Sequence, residues 1–497
     1  MNRTCFFAAG LRAALAVCVA GFAGAASAAQ SAAAPAADPN AQAQVIVARI
    51  GEFEITKDEL TQRILQEIRP HEEEFYQEAP AVTAESVLHK ILGEKATSME
   101  GRRLGLDQDD QIRRAVSQLE QARIVTKLLE TDLGPKLKVE EADVNQVLKS
   151  RPTLTREQAK MVALQTQVNQ LREKYYAEVA AKRKVTKVTE NLAKAAEIHQ
   201  RLLTQPRQPR AATQYWILNS QLKTDLSDEE RALVLATFDG GQYTLKDLLQ
   251  LLCDFPPPRR PQDLGTPQGI EKLLEMALHG PVLSAEAKSR GYDKDPKLQS
   301  ELRKLENDRI LYKAQEEKLK DVPEPTAEQV KAYFDQDPSR FATNPVLKVD
   351  QIWCPDKEAA QKVRSQIDQG ADFDAIRKDY SLQKDVSSYS LSPGSEGMFW
   401  AGLAKAEPNQ VLGPLPGFFG NGVKWRVIKV RETIPAKSQA YSEQIAGSAK
   451  WMLFGGQRRQ ILAQMEKGLL EKYPYEVFSD RIEDLDPLEI AMKQQDK

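Results

Sequence analysis

The chain is poor in the side chains that most often do chemistry. It has four histidines and four cysteines in 497 residues. His71, His89, His199 and His279 are scattered, and no His/Cys group has metal-ligand spacing, so no metal or other cofactor is expected. Cys5 and Cys18 fall in an N-terminal leader. Only Cys253 and Cys354 remain, which excludes a disulfide framework and leaves room for one bond between them. No Gly-x-x-x-x-Gly-Lys-Ser/Thr loop is present, so an ATP cycle is not expected. A strong charge of one sign is also missing. Without Arg3 and Arg12 of the leader, the 69 Lys and Arg become 67 against 71 Asp and Glu. Nucleic acid, which calls for a strongly basic face, is not an expected partner. Aromatics are only 7% and charged residues 28%, a balance that suits helices with broad solvated faces.

What is present begins with the leader. Arg3 and Arg12 give a positive start, Leu11 to Ala23 is apolar, and Ala26-Ser27-Ala28 is a small-x-small cleavage site. The apolar run is shorter than the roughly 20 residues a membrane span needs. Val17 is too bulky for a lipoprotein box at Cys18. Residues 1–28 are therefore expected to be a signal peptide cut near Ala28, and its brevity points to a bacterial periplasm. No later run is long enough to span a membrane, so no integral span is expected after cleavage. Residues 29–44, rich in Ala, Gln and Pro, read as a disordered linker.

A long-period repeat follows. Val45 to Leu60 reads as strand, turn, strand and helix, with Thr56 and Glu59 as a capping box. Ala236 to Leu248 repeats that opening. Arg102–Asp107 is echoed by Lys288–Asp293, Glu120–Ile124 by Glu306–Ile310, and Val139–Val144 by Thr326–Val330, always 186 to 188 residues later. Ordered matches at one offset indicate a duplication. Two helical modules are expected, 45–152 and 211–344.

Between them, Met161, Leu164, Val168, Leu171 and Tyr175 step by three and four, as do Val188, Leu192, Ala195, His199 and Leu202. Residues 153–210 therefore read as a helical, coiled-coil-like insert, either a hairpin or one long helix. It would act as a solvated spacer or as a substrate-gripping arm. Because the insert lies between the copies, outside the shared pattern, deleting 157–203 is expected to leave both modules folded.

From Leu347 to Cys354 the chain reads as a strand. Asp356 caps a helix with apolar Ala359, Ala360, Val363 and Ile367, Gly370 stops it, and Asp372 caps a second with Phe373, Ile376 and Tyr380. A Ser/Gly loop, a turn at Gly420–Gly422 and a strand from Val423 to Val430 complete residues 345–434. A C-terminal helical segment, 435–497, carries Trp451, Phe454 and Met465 and is expected to break at Gly455-Gly456. It either completes a helical module or caps the chain. The fold expected is mainly α, with one α+β domain of β-α-α-(α)-β order.

Gly370-Ala371-Asp372-Phe373 with Tyr380-Ser381, the glycines 394 and 397, and Leu412-Gly413-Pro414 followed by Trp425–Val430 resemble a parvulin-type (PpiC-type) peptidyl-prolyl isomerase domain. The repeated helical modules resemble those of the SurA/PpiD-like exported chaperones. The resemblance implies an apolar proline slot and a polar cluster with two histidines. At those positions this chain has Gln351 and Arg426, and the family's Cys or Asp position falls near Lys384 or Asp385. The Met398–Gly413 connection is short for the helix that walls the slot. Met398, Phe399, Trp400, Leu403 and Phe418 either line a replacement groove or form the core. Burying Arg426 without a carboxylate such as Asp350 or Glu396 would be costly, so it is expected to turn outward.

Three functions follow. The first is a holdase chaperone for unfolded or nascent exported polypeptides, outer-membrane proteins among the candidates, with a degenerate catalytic cluster. The second is an active prolyl isomerase, since uncatalysed isomerisation takes tens to hundreds of seconds, in round terms. The third is an envelope scaffold or adaptor.

Overall fold

The computed structural model describes residues 45–69, 82–205, 216–384, 388–420 and 422–493. The expected signal peptide and linker lie outside the described residues. The described chain opens with a hairpin, β1 (Ile46–Ile50) and β2 (Phe53–Thr56), that turns at Gly51 with a φ of +52°. Thr56 caps α1 (Lys57–Glu67) by accepting from the Glu59 N–H at 3.1 Å. The Glu59 carboxylate, expected to reach back to the cap, pairs with Lys95 at 3.0 Å instead. Then come α2 (Ala84–Arg103), α3 (Asp110–Leu133), α4 (Glu141–Ser150), α5 (Arg156–Lys182), the short strand β3 (Thr186–Lys187) and α6 (Glu190–Thr204). After α7 (Asn219–Thr224) and α8 (Asp228–Arg231), a second hairpin forms from β4 (Val234–Phe238) and β5 (Gly241–Thr244). It leads through a Thr244–Asp247 capping box into α9 (Leu245–Asp254). Three helices follow, α10 (Pro267–Ser289), α11 (Pro296–Leu319) and α12 (Ala327–Gln336). The β-rich part has β6 (Val346–Cys354), α13 (Lys357–Asp368), α14 (Phe373–Tyr380), β7 (Tyr389–Leu391), the single turn α15 (Pro393–Glu396), β8 (Val411–Phe419) and β9 (Gly422–Ile434). The chain closes with α16 (Glu443–Lys472), β10 (Tyr475–Val477) and α17 (Pro487–Lys493).

The chain divides into two compact units, one of Gln108–Glu306 and one joining the segment that ends at Asp107 to Asn307–Lys497. The sequence boundaries expected at 152 and 210 fall inside the first unit, and those at 344 and 434 inside the second.

In the Gln108–Glu306 unit, α10 packs against α3, α5 and α6. Its core includes Leu128, Val168, Tyr175, Leu192, Leu202, Leu235 and Leu274. The helical insert is therefore neither a hairpin spacer nor one long helix. Its two helices are separated by β3, which pairs antiparallel with β4, and both apolar stripes are core. Excising them would strip the unit of buried surface, contrary to the tolerance expected of a spacer.

In the other unit, α2 packs on α16, and β10 pairs with β1. The C-terminal segment thus completes the helical part rather than merely ending the chain. α16 runs unbroken through Gly455 and Gly456. Each costs about 1 kcal/mol relative to Ala, and a helix of 30 residues absorbs it. A four-stranded antiparallel sheet, β7-β6-β9-β8, forms the α+β part. Asp356 and Asp372 cap α13 and α14 as expected, accepting from Ala359 N–H at 2.8 Å and Ala375 N–H at 2.9 Å. Ala360, Val363, Phe373 and Ile376 of these helices pack on Ile352, Cys354 and Val427.

Cys253 and Cys354 are free thiols. Among the described residues no helix is long and apolar enough to cross a membrane.

Candidate functional site

Side chains alternate across a strand. Because Ile352, Cys354 and Val427 face α13 and α14, Gln351, Trp353 and Arg426 belong to the opposite face of the sheet. Trp353 and Arg426 are direct cross-strand partners on β6 and β9. The Trp353 backbone is held by the segment that follows Tyr380: the Ser381 hydroxyl accepts from Trp353 N–H at 3.1 Å, and Leu382 N–H donates to the Trp353 carbonyl at 2.9 Å.

Arg426 does not turn outward. It is 1% exposed, and Glu396 at the end of α15 is 4% exposed. The guanidinium Nη2 donates to Glu396 Oε2, and Nη1 donates to Gln351 Oε1 at 2.7 Å. Its carbon stands 5.0 Å from the centroid of the Trp353 ring. Nε has no hydrogen-bond partner among the described residues. The outward expectation fails because the carboxylate it lacked is supplied by the short α15 turn. Asp350, the other candidate partner, pairs with Arg431. Space for the guanidinium comes from β8, where Gly417 has no side chain to fill it.

The remaining candidates are distributed. Gln351 and Arg426 come together, while Asp385 lies outside the described residues. Lys384, the alternative position, is exposed. Leu403 is buried, and Trp400 packs beside it against Leu347, Val349, Ile428 and Val430. Phe399 and Phe418, with ring centroids 4.9 Å apart, join a different cluster that contains Val423 and residues of α2. Leu488, Ile490 and Met492 of α17 pack against the same cluster, and α17 lies on β9. Met398 is exposed. Between Met398 and Gly413 the described chain has a 3-10 turn, Gly397–Gly402, and no α-helix.

Chemically the buried group is an ion pair with an amide. A guanidinium only donates hydrogen bonds, and a carboxamide does not titrate. The pair is bound inward, with both terminal nitrogens of Arg426 spent on Glu396 and Gln351. Trp353 and Gly417 belong to this cluster and were not singled out from sequence. Trp353 could have been found from its spacing of two from Gln351, which puts both on one face.

A family model described as the PPIC-type PPIase domain matches residues 325–444, so the resemblance read at 345–434 is to a domain present here. Among solved structures the chain is similar to one described with PEB4 and Cj1289, two SurA-like chaperones of Campylobacter jejuni. Identity is 16%, over 48% of this chain and 97% of that one, with a TM-score of 0.23. It is also similar to the foldase protein PrsA of Streptococcus pneumoniae, at 16% identity over 42% and 77% of the two chains, TM-score 0.22. For PrsA of Bacillus cereus the values are 20%, 39%, 69% and 0.21. No curated protein matches the chain.

Proposed function

We propose that the protein is an exported folding factor of the holdase type. It binds unfolded or nascent exported polypeptides, with outer-membrane proteins among the candidate clients, and its PPIC-type domain contributes surface rather than catalysis. The observation that carries the non-catalytic part is the closed cluster of Arg426, Glu396 and Gln351. Rotating an amide faces a barrier of about 18–20 kcal/mol. A site that lowers it must offer an apolar seat for the ring and free polar groups beside the twisting bond. Here the groups at two of the family's positions, Gln351 and Arg426, are buried and bonded to each other, and Arg426 also to Glu396. Phe399 and Phe418, candidates for the seat, pack into the cluster that α17 also joins. The family match supports a role in protein folding. The leader read from sequence supports export to the periplasm.

The test uses the full chain in nucleotide-free buffer. It should suppress aggregation of chemically unfolded citrate synthase and leave an Ala-Pro-Phe peptide isomerising at its uncatalysed rate. A requirement for ATP would overturn the holdase assignment. Robust isomerisation by the unmodified chain would overturn the non-catalytic one and promote the isomerase.

A further inference from the structure

The Gln108–Glu306 unit contains a cleft of about 890 Å³ lined by α3, α7, β5, α9 and α10. That volume is near the upper end of small-ligand sites, roughly 300–1,000 Å³. We propose that this cleft seats an extended segment of an unfolded polypeptide bearing acidic side chains. The inference rests on the holdase reading and names where and how the client is held.

Three features of the lining carry it. The first is side-chain amides. Gln118 and Gln121 of α3, Asn219 of α7 and Gln250 of α9 all line the cleft. Gln250 and Asn219 bond each other at 2.6 Å, while the half-buried Gln121 carboxamide makes no hydrogen bond among the described residues. A carboxamide has the same donor and acceptor as a peptide group, so it can bond a guest main chain whatever the guest's side chains. The second is a backbone acceptor. Pro281 lies inside α10, and both it and Ala277 line the cleft. Proline has no N–H, so the Ala277 carbonyl loses its usual helical donor four residues on. A carbonyl relieved of its helical donor thereby belongs to a residue that lines the cleft. The third is charge. Cationic lining side chains outnumber carboxylates two to one. Arg114 is tied to Asp254, Lys223 to Asp110, Arg231 to Asp228 and Arg172 to Glu173, but Arg113 and Lys246 are exposed and have no ion-pair partner among the described residues, and these two make the positive rim. Apolar floor residues, Val125, Leu129 and Leu283, supply area for the guest's uncharged side chains. Main-chain bonding, apolar area and a positive rim together fit an extended acidic segment, and the positive rim makes binding weaken with salt.

The experiment uses the full chain with p-benzoylphenylalanine placed at Gln118, or at the exposed Gln464 of α16 as the control. The probe is a fluorescent, reduced and carboxymethylated lactalbumin, together with a 12-residue acidic peptide and its lysine-for-glutamate counterpart. Cross-links are expected at Gln118 and not at Gln464. The acidic peptide should bind at least tenfold tighter than its counterpart, and the Arg113→Glu/Lys246→Glu pair should remove that preference. Circular dichroism checks that these surface changes leave the fold intact. If aggregation suppression persists while cross-links form only at Gln464, or the double variant binds as before, the cleft assignment is overturned and the holdase reading stands. If the unmodified chain protects no client and binds neither peptide, both fall.

Discussion

A Cβ built at Gly417 would lie 2.4 Å from the guanidinium carbon of Arg426. Gly417 is on β8 and Arg426 on β9, so the glycine is the notch that lets a long charged side chain lie down within the sheet's second face. Gly417→Ala should destabilise the unit by about 1–3 kcal/mol, the usual cost of overpacking. Denaturant unfolding should show the penalty shrinking when Arg426 is also shortened. Additive single and double variants would mean that the two residues do not share this space.

The Arg426–Glu396 pair itself sets a second expectation. Removing one partner leaves a buried charge without compensation, at a cost of about 3–5 kcal/mol. Glu396→Gln should therefore be among the most damaging substitutions in the α+β part. Replacing both residues by apolar side chains of similar volume should be close to neutral, because it also removes the desolvation penalty. Parallel thermal melts of the single and double variants distinguish the two. A Glu396→Gln protein as stable as the parent would show that the ion pair contributes nothing.

Much of the α+β part was legible because its signals are local. Caps at Asp356 and Asp372 and the stop at Gly370 act over a few residues, and each stands where the pattern put it. The Ser381 hydroxyl explains why a serine follows Tyr380 at the end of α14: it ties the helix end to β6. What sequence left unread depended on distant partners. Arg426 reads as an exposed charge until Glu396, 30 positions away in sequence, is seen to meet it. The stripes of α5 and α6 have the period of coiled-coil arms, but period alone does not say which surface they face, and α10 is that surface. β3 is too short for any pattern. Gly455 and Gly456 read as a break because local propensity ignores the turns on either side.

Core status of the insert is directly testable. Leu202 of α6 is fully buried in the Gln108–Glu306 unit. Leu202→Ala should cost about 2–5 kcal/mol, far more than a solvated spacer would. Hydrogen exchange should report faster opening across α6 and α10 together. If exchange in α10 were unmoved, the insert would be peripheral after all.

Acid should affect the α2–α16 contact through two carboxyl groups. Burial raises the Glu94 and Glu466 carboxyls above their ordinary 4.5, and the Glu94 charge raises Glu466 further. Arg63 and Lys90 oppose the shift at Glu94. A carboxyl raised in the folded state binds its proton more tightly there than in the unfolded chain, so ionisation costs stability as pH rises above 4.5. Glu466→Gln should therefore stabilise this contact at neutral pH, with the gain vanishing below about pH 4. Hydrogen exchange of α2 and α16 at the two pH values checks the sign, and a destabilised variant at neutral pH would reverse the argument.

His199 produces the opposite slope in the Gln108–Glu306 unit. It lies in α6, is 6% exposed, and its Nδ1 has no hydrogen-bond partner among the described residues. Burial pushes its pKa down to about 4 from the ordinary 6.5, and the nearby Arg260 guanidinium adds to the shift. Arg260 is itself fixed, donating to the carbonyls of Ile217 at 2.8 Å and Phe255 at 2.9 Å, so it cannot move away to admit a second positive charge. The folded imidazole therefore stays neutral while the unfolded one gains a proton below 6.5. The unfolded state then binds more protons, and stability falls as pH drops from 6.5 to about 4. A shift of this size corresponds to about 3 kcal/mol over that window. His199→Gln keeps a polar side chain of similar size without a titrating group. Its stability should be flat where the parent's falls, as read by the fluorescence of Trp216, the tryptophan of this unit. Identical pH profiles for parent and variant would show that the imidazole is solvated enough to take its proton when folded.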